Sequence, residues 1–204
     1  MRIAIDLDKT LVDCGNSLIY TIANKYFGDK DSNKKLKYHV LPKNANTKNS
    51  FISKILRPFL KMGRHTSYSL IDNAASVVNS WYNAGVKIYI LSSRPNILVL
   101  NNAITNFLRG ANLHYDNLIV GCNNKSKFCQ IHKIELLVDN SLTKCINAKR
   151  SGFDSICLKN FTASEYNSVK IASNWNDINA YVKTLLKKEK NRQILEQEKF
   201  KYFS

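Results

Sequence analysis

The chain opens with a short apolar run that ends on two carboxylates, Met1-Arg2-Ile3-Ala4-Ile5-Asp6-Leu7-Asp8-Lys9-Thr10. An uninterrupted apolar run of this length reads as a strand buried on both faces of a parallel sheet. Open sheets of that kind bind ligands beyond the carboxyl ends of their strands, which is where Asp6 and Asp8 fall. Two acids at a buried strand end are costly unless a cation or a reaction needs them. The segment therefore predicts an α/β fold whose first strand brings acidic chemistry to one edge of the sheet.

The rest of the chain keeps to that pattern. Strands are predicted over residues 2–7, 86–91, 117–120, 135–138 and 155–158, with 168–172 as a last edge strand. Helices are predicted over 71–84, 96–108, 126–132 and 141–149, and from Trp175 onward. Strands alternating with helices build βαβ units, right-handed crossovers and a Rossmann-like parallel sheet flanked by helices. Residues 14–70 are too long for a simple crossover. They read as a small helical cap inserted after the first strand, with helices over 16–27 and 50–62. The expected organisation is a core of 1–13 and 71–182, the cap, and a charged helical tail over 183–204.

The 204 residues suit one domain plus such an insertion, and a hydrophobic content of 44% supports a sizeable core. No apolar run is long enough to span a bilayer, and Asp6 and Asp8 interrupt any secretory signal. Cys14, Cys122, Cys129, Cys145 and Cys157 form an odd set with no C-x-x-C pair. They read as reduced, mostly buried thiols, and the compartment expected is the cytoplasm. His39, His65, His114 and His132 show no metal-ligand spacing. The net charge of +16 is uneven: residues 32–71 contain no Asp or Glu and nine Lys or Arg. Such a stretch is either a solvated basic face or a field that attracts phosphorylated metabolites or nucleic acid.

Four segments carry chemistry. In Asp6-Leu7-Asp8-Lys9-Thr10, a carboxylate on a rigid strand end can attack phosphorus. The acid two residues on points to the same side and can move a proton, while the Thr10 hydroxyl can brace the turn. In Ile88-Tyr-Ile-Leu-Ser92-Ser93-Arg94-Pro95, a buried strand ends in two hydroxyls suited to phosphate oxygens, although Ser93 could instead cap a helix beginning near Pro95. Lys125, with Lys127 as its competitor, could neutralise a phosphate near a helix start. In Leu136-Leu-Val138-Asp139-Asn140-Ser141 a second apolar strand ends in an acid. Asp6 and Asp139 could share one Mg²⁺ there, whereas Asn140 could simply cap a helix.

The order of these segments resembles the haloacid-dehalogenase-like (HAD) phosphatase superfamily: D-x-D-x-T, a strand ending in Ser or Thr, a Lys, then a strand ending in an acidic pair. The likeness runs from Met1 to about Val182, and the text around Ser92, Lys125 and Asp139 is similar to the 5′-nucleotidase group. The spacing in that group favours Lys125 over Lys127. The resemblance implies Asp6 as nucleophile and Asp8 as general acid/base. It implies Thr10, Ser92, Ser93 and Lys125 around the phosphate, and Asp6, Asp139 and the Asp8 main-chain carbonyl on Mg²⁺. Two positions depart from the family pattern. Lys9 stands where many relatives carry Gly, Asn or Glu, and Asn140 replaces the usual second acid, leaving it beside the metal rather than on it.

The activity expected is a Mg²⁺-dependent phosphomonoesterase working through an aspartyl-phosphate, on nucleoside or deoxynucleoside 5′-monophosphates. One alternative is a phosphatase of nucleic-acid ends. The other is a non-catalytic protein that keeps the fold and uses its charge to hold nucleic acid or a partner.

Overall fold

The computed structural model describes residues 1–13, 69–94, 96, 98–159, 165–166 and 168–202. In chain order the elements are β1 (Arg2–Asp6), β2 (Val12–Asp13), β3 (Ser69–Leu70), α1 (Ala74–Asn83), β4 (Lys87–Ser92), α2 (Leu98–Gly110), β5 (Asn117–Val120), α3 (Lys125–Ile131), β6 (Leu136–Asp139), α4 (Leu142–Arg150), β7 (Asp154–Leu158), β8 (Glu165–Tyr166), β9 (Val169–Ala172) and α5 (Trp175–Tyr202).

The main sheet runs β5-β4-β1-β6-β7-β9-β8. Its first six strands in that order are parallel, and β8 adds an antiparallel edge. β1 sits at the centre, with Ile3 opposite Ile88 and Leu136. Ile3, Ala4 and Ile5 are fully buried, so the lack of alternation in the opening segment reflects a strand covered on both faces. Ile3 and Ile5 each contribute about 1.5–3 kcal/mol of burial, which makes the sheet centre a stiff base for whatever follows Ile5.

Chain order and spatial order differ at one expected edge. Val169–Ala172 is an inner strand, because Glu165–Tyr166 pairs outside it. A strand of two residues carries too little pattern to stand out in sequence. The chain also forms a short antiparallel pair, Val12 with Leu70 and Asp13 with Ser69, where residues 69–70 were expected inside the cap. Two compact units divide the chain, Met1–Asp13 with Ser69–Ser204 and Cys14–Tyr68. The cap expected over 14–70, with its helices and basic stretch, lies outside the described residues except for Ser69 and Leu70.

Helix α5 continues the last core helix without a break into the charged tail. Its first turns bury Trp175, Ile178 and Val182, and Trp175 packs on Trp81 with ring centroids 5.8 Å apart. Farther along, Ile194 and Leu195 are exposed. Among the described residues no helix is long and apolar enough to cross a membrane.

Candidate active site

Asp6 is the last residue of β1 and Asp139 the last of β6, and the two strands are hydrogen-bonded neighbours. Both acids are buried. Between them lies Lys125, in the first turn of α3 and only 3% exposed. Its ammonium donates to Asp6 Oδ1 and, at 2.7 Å, to Asp139 Oδ2. The Thr10 hydroxyl donates to the other Asp6 oxygen at 2.9 Å, and the Ser141 N–H to the other Asp139 oxygen at 2.8 Å. Lys144, in the first turn of α4, stands 3.8 Å from Asp139 Oδ2.

Two acids and one shared lysine leave an excess of negative charge in a buried place. Burial, and then the Asp139 carboxylate, lift Asp6 from the ordinary 3.8 to about 6 against the opposing pull of Lys125. For Lys125 itself burial pulls the pKa down, but Asp6 and Asp139 outweigh it and raise it, so the side chain is a firm cation. A carboxylate poised in this way is ionised near neutrality and only weakly solvated, both of which suit a nucleophile.

Asp8 stands apart from this pair. Both its oxygens accept from Arg94, Oδ2 from Nε at 3.0 Å and Oδ1 from Nη2. Arg94 lies two residues beyond β4, the strand that pairs with β1 so that Leu91 faces Asp6. No role for Arg94 was expected. The signal was present in its place in the sheet, since a residue just past Leu91 must lie near one just past Asp6.

The other expected residues divide. Ser92 is fully buried at the strand end, and its hydroxyl accepts the Arg94 N–H at 3.2 Å. Ser93 is exposed, and its hydroxyl donates to the Cys122 carbonyl at 3.2 Å. It does not cap α2 either, because that helix begins at Leu98. Thr10, expected at the phosphate, donates its hydroxyl to Asp6. Asn140 is half-buried directly after Asp139, and Lys127 is exposed on the turn that sends Lys125 inward. The buried thiols lie behind the site: burial pushes Cys129 up to about 12, and Cys145 donates to the Asp139 carbonyl at 3.7 Å. Neither is a nucleophile.

A long-range contact that the sequence did not announce fixes the loop after β1. Trp175, at the start of α5, donates its indole N–H to the Thr10 carbonyl at 2.9 Å. The loop itself is tight: Val12 N–H donates to the Leu7 carbonyl at 2.9 Å, and Lys9 N–H to the Val12 carbonyl at 2.8 Å. Lys9 takes φ +59°, a left-handed conformation that costs a residue with a side chain about 1–2 kcal/mol.

No protein-family model and no curated protein sequence matches the chain. Solved structures do match it in three dimensions. A HAD-superfamily hydrolase from Ehrlichia chaffeensis is 16% identical, with 91% of this chain and 97% of that one aligned at a TM-score of 0.53. A predicted phosphatase from Clostridium acetobutylicum is 11% identical, with 89% and 97% aligned at 0.58. CbbY from Rhodobacter sphaeroides, solved in complex with phosphate, is 13% identical, with 85% and 94% aligned at 0.52. The fold is that of the haloacid-dehalogenase-like hydrolases.

Hydrolases of this fold imply a divalent cation, and the donor chemistry here suits one. Mg²⁺ takes hard oxygen ligands, manages with one or two carboxylates and keeps waters for the rest. Asp6 and Asp139 offer buried carboxylates from adjacent strand ends. The described residues hold no group of three or more His, Cys, Asp or Glu side chains suited to a metal. The Asp8 side chain is held by Arg94.

Proposed function

We propose that the chain is a phosphomonoesterase in which Asp6 is the nucleophile. The observation that carries this reading is the buried Asp6–Lys125–Asp139 cluster at the carboxyl end of the central strands. The phosphate bound by the Rhodobacter sphaeroides neighbour of the same fold supports it.

Phosphoryl transfer asks for alignment and charge neutralisation more than elaborate covalent machinery. A carboxylate oxygen of Asp6 attacks phosphorus, and the bond from phosphorus to the ester oxygen breaks. Asp8 gives its proton to that leaving oxygen, so the alcohol departs neutral. In the second half, water attacks the aspartyl-phosphate at phosphorus and passes a proton back to Asp8. The bond to Asp6 breaks, and inorganic phosphate leaves. Both Asp8 oxygens accept from Arg94, so Asp8 has to leave that fork and take up a proton before it can deliver one, which makes Arg94 a positioning residue for this step. Lys125 and Ser92 neutralise and orient the phosphoryl oxygens. Mg²⁺, held by Asp6, Asp139 and the Asp8 carbonyl, would supply charge neutralisation at the phosphate. Nucleoside and deoxynucleoside 5′-monophosphates are the substrates favoured by the text around Ser92, Lys125 and Asp139.

Phosphate release measured with Mg²⁺ over nucleotides, sugar phosphates and phosphorylated oligonucleotides tests the reading. Wild type should turn over nucleoside monophosphates, and Asp6→Asn should not. Undiminished turnover in the variant would sink the assignment, and turnover confined to sugar phosphates would remove the nucleotide part of it.

A further inference from the structure

The carboxyl edge of the sheet carries more positive charge than the cluster around Asp6 can use. Taken in sheet order, five neighbouring strands are each followed by a cation that is at least partly exposed: Lys127 after β5, Arg94 after β4, Lys9 after β1, Lys144 after β6 and Lys159 after β7. Lys9, Arg94 and Lys159 lie within three residues of their strand ends, and Lys127 and Lys144 lie in the first turns of α3 and α4. Arg94 holds Asp8, and Lys144 stands 3.8 Å from Asp139. Lys9 and Lys127 have no carboxylate partner among the described residues. Both sit where local physics does not favour them. Lys9 occupies a left-handed backbone position. Lys127 stands in the first turn of a helix that has no acid there, although the helix dipole prefers the opposite charge at that end.

A mononucleotide has one phosphate to offer, and Lys125 with Ser92 already addresses it. We infer that this row of cations is a track for a nucleic-acid strand whose terminal phosphate enters the Asp6 site. The inference deepens the phosphatase reading and rests on it for the identity of the end group. A strand carries one charge every ~3.4 Å, so cations set beyond five neighbouring strands can meet phosphates beyond the one in the pocket. The track is continuous with a phosphate site, which fits a polymer whose repeating charged unit is the phosphate better than it fits an anionic lipid surface.

Binding, read without turnover, tests this. Fluorescence anisotropy with Mg²⁺ would compare a labelled 12-nucleotide strand carrying a 5′-phosphate, a labelled nucleoside monophosphate and anionic phosphatidylserine vesicles, from 50 to 200 mM salt. The oligonucleotide should lose at least tenfold in affinity over that range, and the mononucleotide should change less than threefold. Lys127→Gln with Lys159→Gln, at the two ends of the row, should flatten the salt slope for the oligonucleotide by about one to two units. Far-UV circular dichroism checks that this variant is folded, and Lys9→Gly supplies a second variant that relieves backbone strain while removing charge. Equal salt slopes for oligonucleotide and mononucleotide overturn the track. So does an unchanged slope in both variants, or vesicle binding as tight as oligonucleotide binding. Failure of the phosphatase reading shows separately, as absent phosphate release with oligonucleotide binding intact.

Discussion

The two ends of the central sheet handle charge in opposite ways. At the amino ends of the strands, cations meet acids that are at least partly exposed. Lys87 meets Asp116 at 3.0 Å, Lys149 meets Asp154 at 2.6 Å, and the Met1 ammonium lies 3.4 Å from Glu189 and 3.7 Å from Glu135. At the carboxyl ends, two buried carboxylates share one buried lysine, and further cations surround them. Water screens the first arrangement, so little is gained or lost by it. The second sits in a place where unbalanced charge is expensive and therefore has to be kept for a purpose. Since both ends belong to the same strands, the difference lies in side chains and not in architecture.

The largest expected effect falls on Asp6. Asp6→Asn should lower phosphate release by at least about 10³-fold, because the group that attacks is gone. The same variant should be more stable than wild type in metal-free buffer at pH 7. Burial and Asp139 lift Asp6 from 3.8 to about 6, so between those values the folded protein holds a proton that the unfolded chain has released. Ionised Asp6 thus removes stability as pH rises through about 6, by an amount on the order of 3 kcal/mol. Thermal unfolding should show the gain of the variant at pH 7 and its disappearance near pH 4. A variant less stable than wild type at pH 7 would mean that the carboxyl end is not held under electrostatic strain, and the contrast between the two ends would collapse.

Lys125→Met probes the same cluster from the other side. It leaves Asp6 and Asp139 buried without their shared cation, and loss of one partner in a buried pair costs about 3–5 kcal/mol. Urea unfolding should show that loss. Millimolar Mg²⁺ should restore more stability to this variant than it adds to wild type, because a divalent cation can take up the uncovered charge. Equal stabilisation of the two proteins would place the ion elsewhere.

Much of this was legible before the fold was known, for identifiable reasons. Asp6, Asp8 and Asp139 stand at the ends of apolar runs, and a run that ends on an acid marks a position in space as well as in sequence. Lys125 could be chosen over Lys127 only by family spacing, since composition does not distinguish two lysines one residue apart from their midpoint. Arg94 and Trp175 escaped because their partners, Asp8 and Thr10, are distant in sequence. A hydroxyl at a strand end reads as a phosphate donor, as at Ser93, and the resemblance adds Thr10. The two hydroxyls donate to Asp6 and to the Cys122 carbonyl, partners that residue type alone does not show. The strand β8, two residues long, lies below any periodic signal.

Arg94 joins the cluster to the rim. Arg94→Met should reduce kcat/KM for a nucleoside monophosphate by about 10²-fold, the scale expected when a catalytic group is misplaced by an ångström or so. Arg94→Lys should recover only part of the loss, because a point charge cannot reproduce a two-pronged grip on both Asp8 oxygens. Full recovery by lysine would show that charge matters at this position and orientation does not.

The smallest effect should come from the amino end, where the comparison is easiest to break. Lys149 is about one-third exposed, and its partner Asp154 keeps a second donor, the Tyr181 hydroxyl at 2.5 Å. Lys149→Met therefore removes one contact from an acid that is still hydrogen-bonded and partly hydrated. The cost should be no more than about 1 kcal/mol in urea unfolding, with phosphate release unchanged, since the site lies at the other end of the strands. A loss comparable to that of Lys125→Met would mean that the amino-end pairs are as tightly bound into the fold as the carboxyl-end cluster. The sheet would then carry its electrostatic cost along its whole length, and the carboxyl edge would no longer stand out as the part of the molecule built for chemistry.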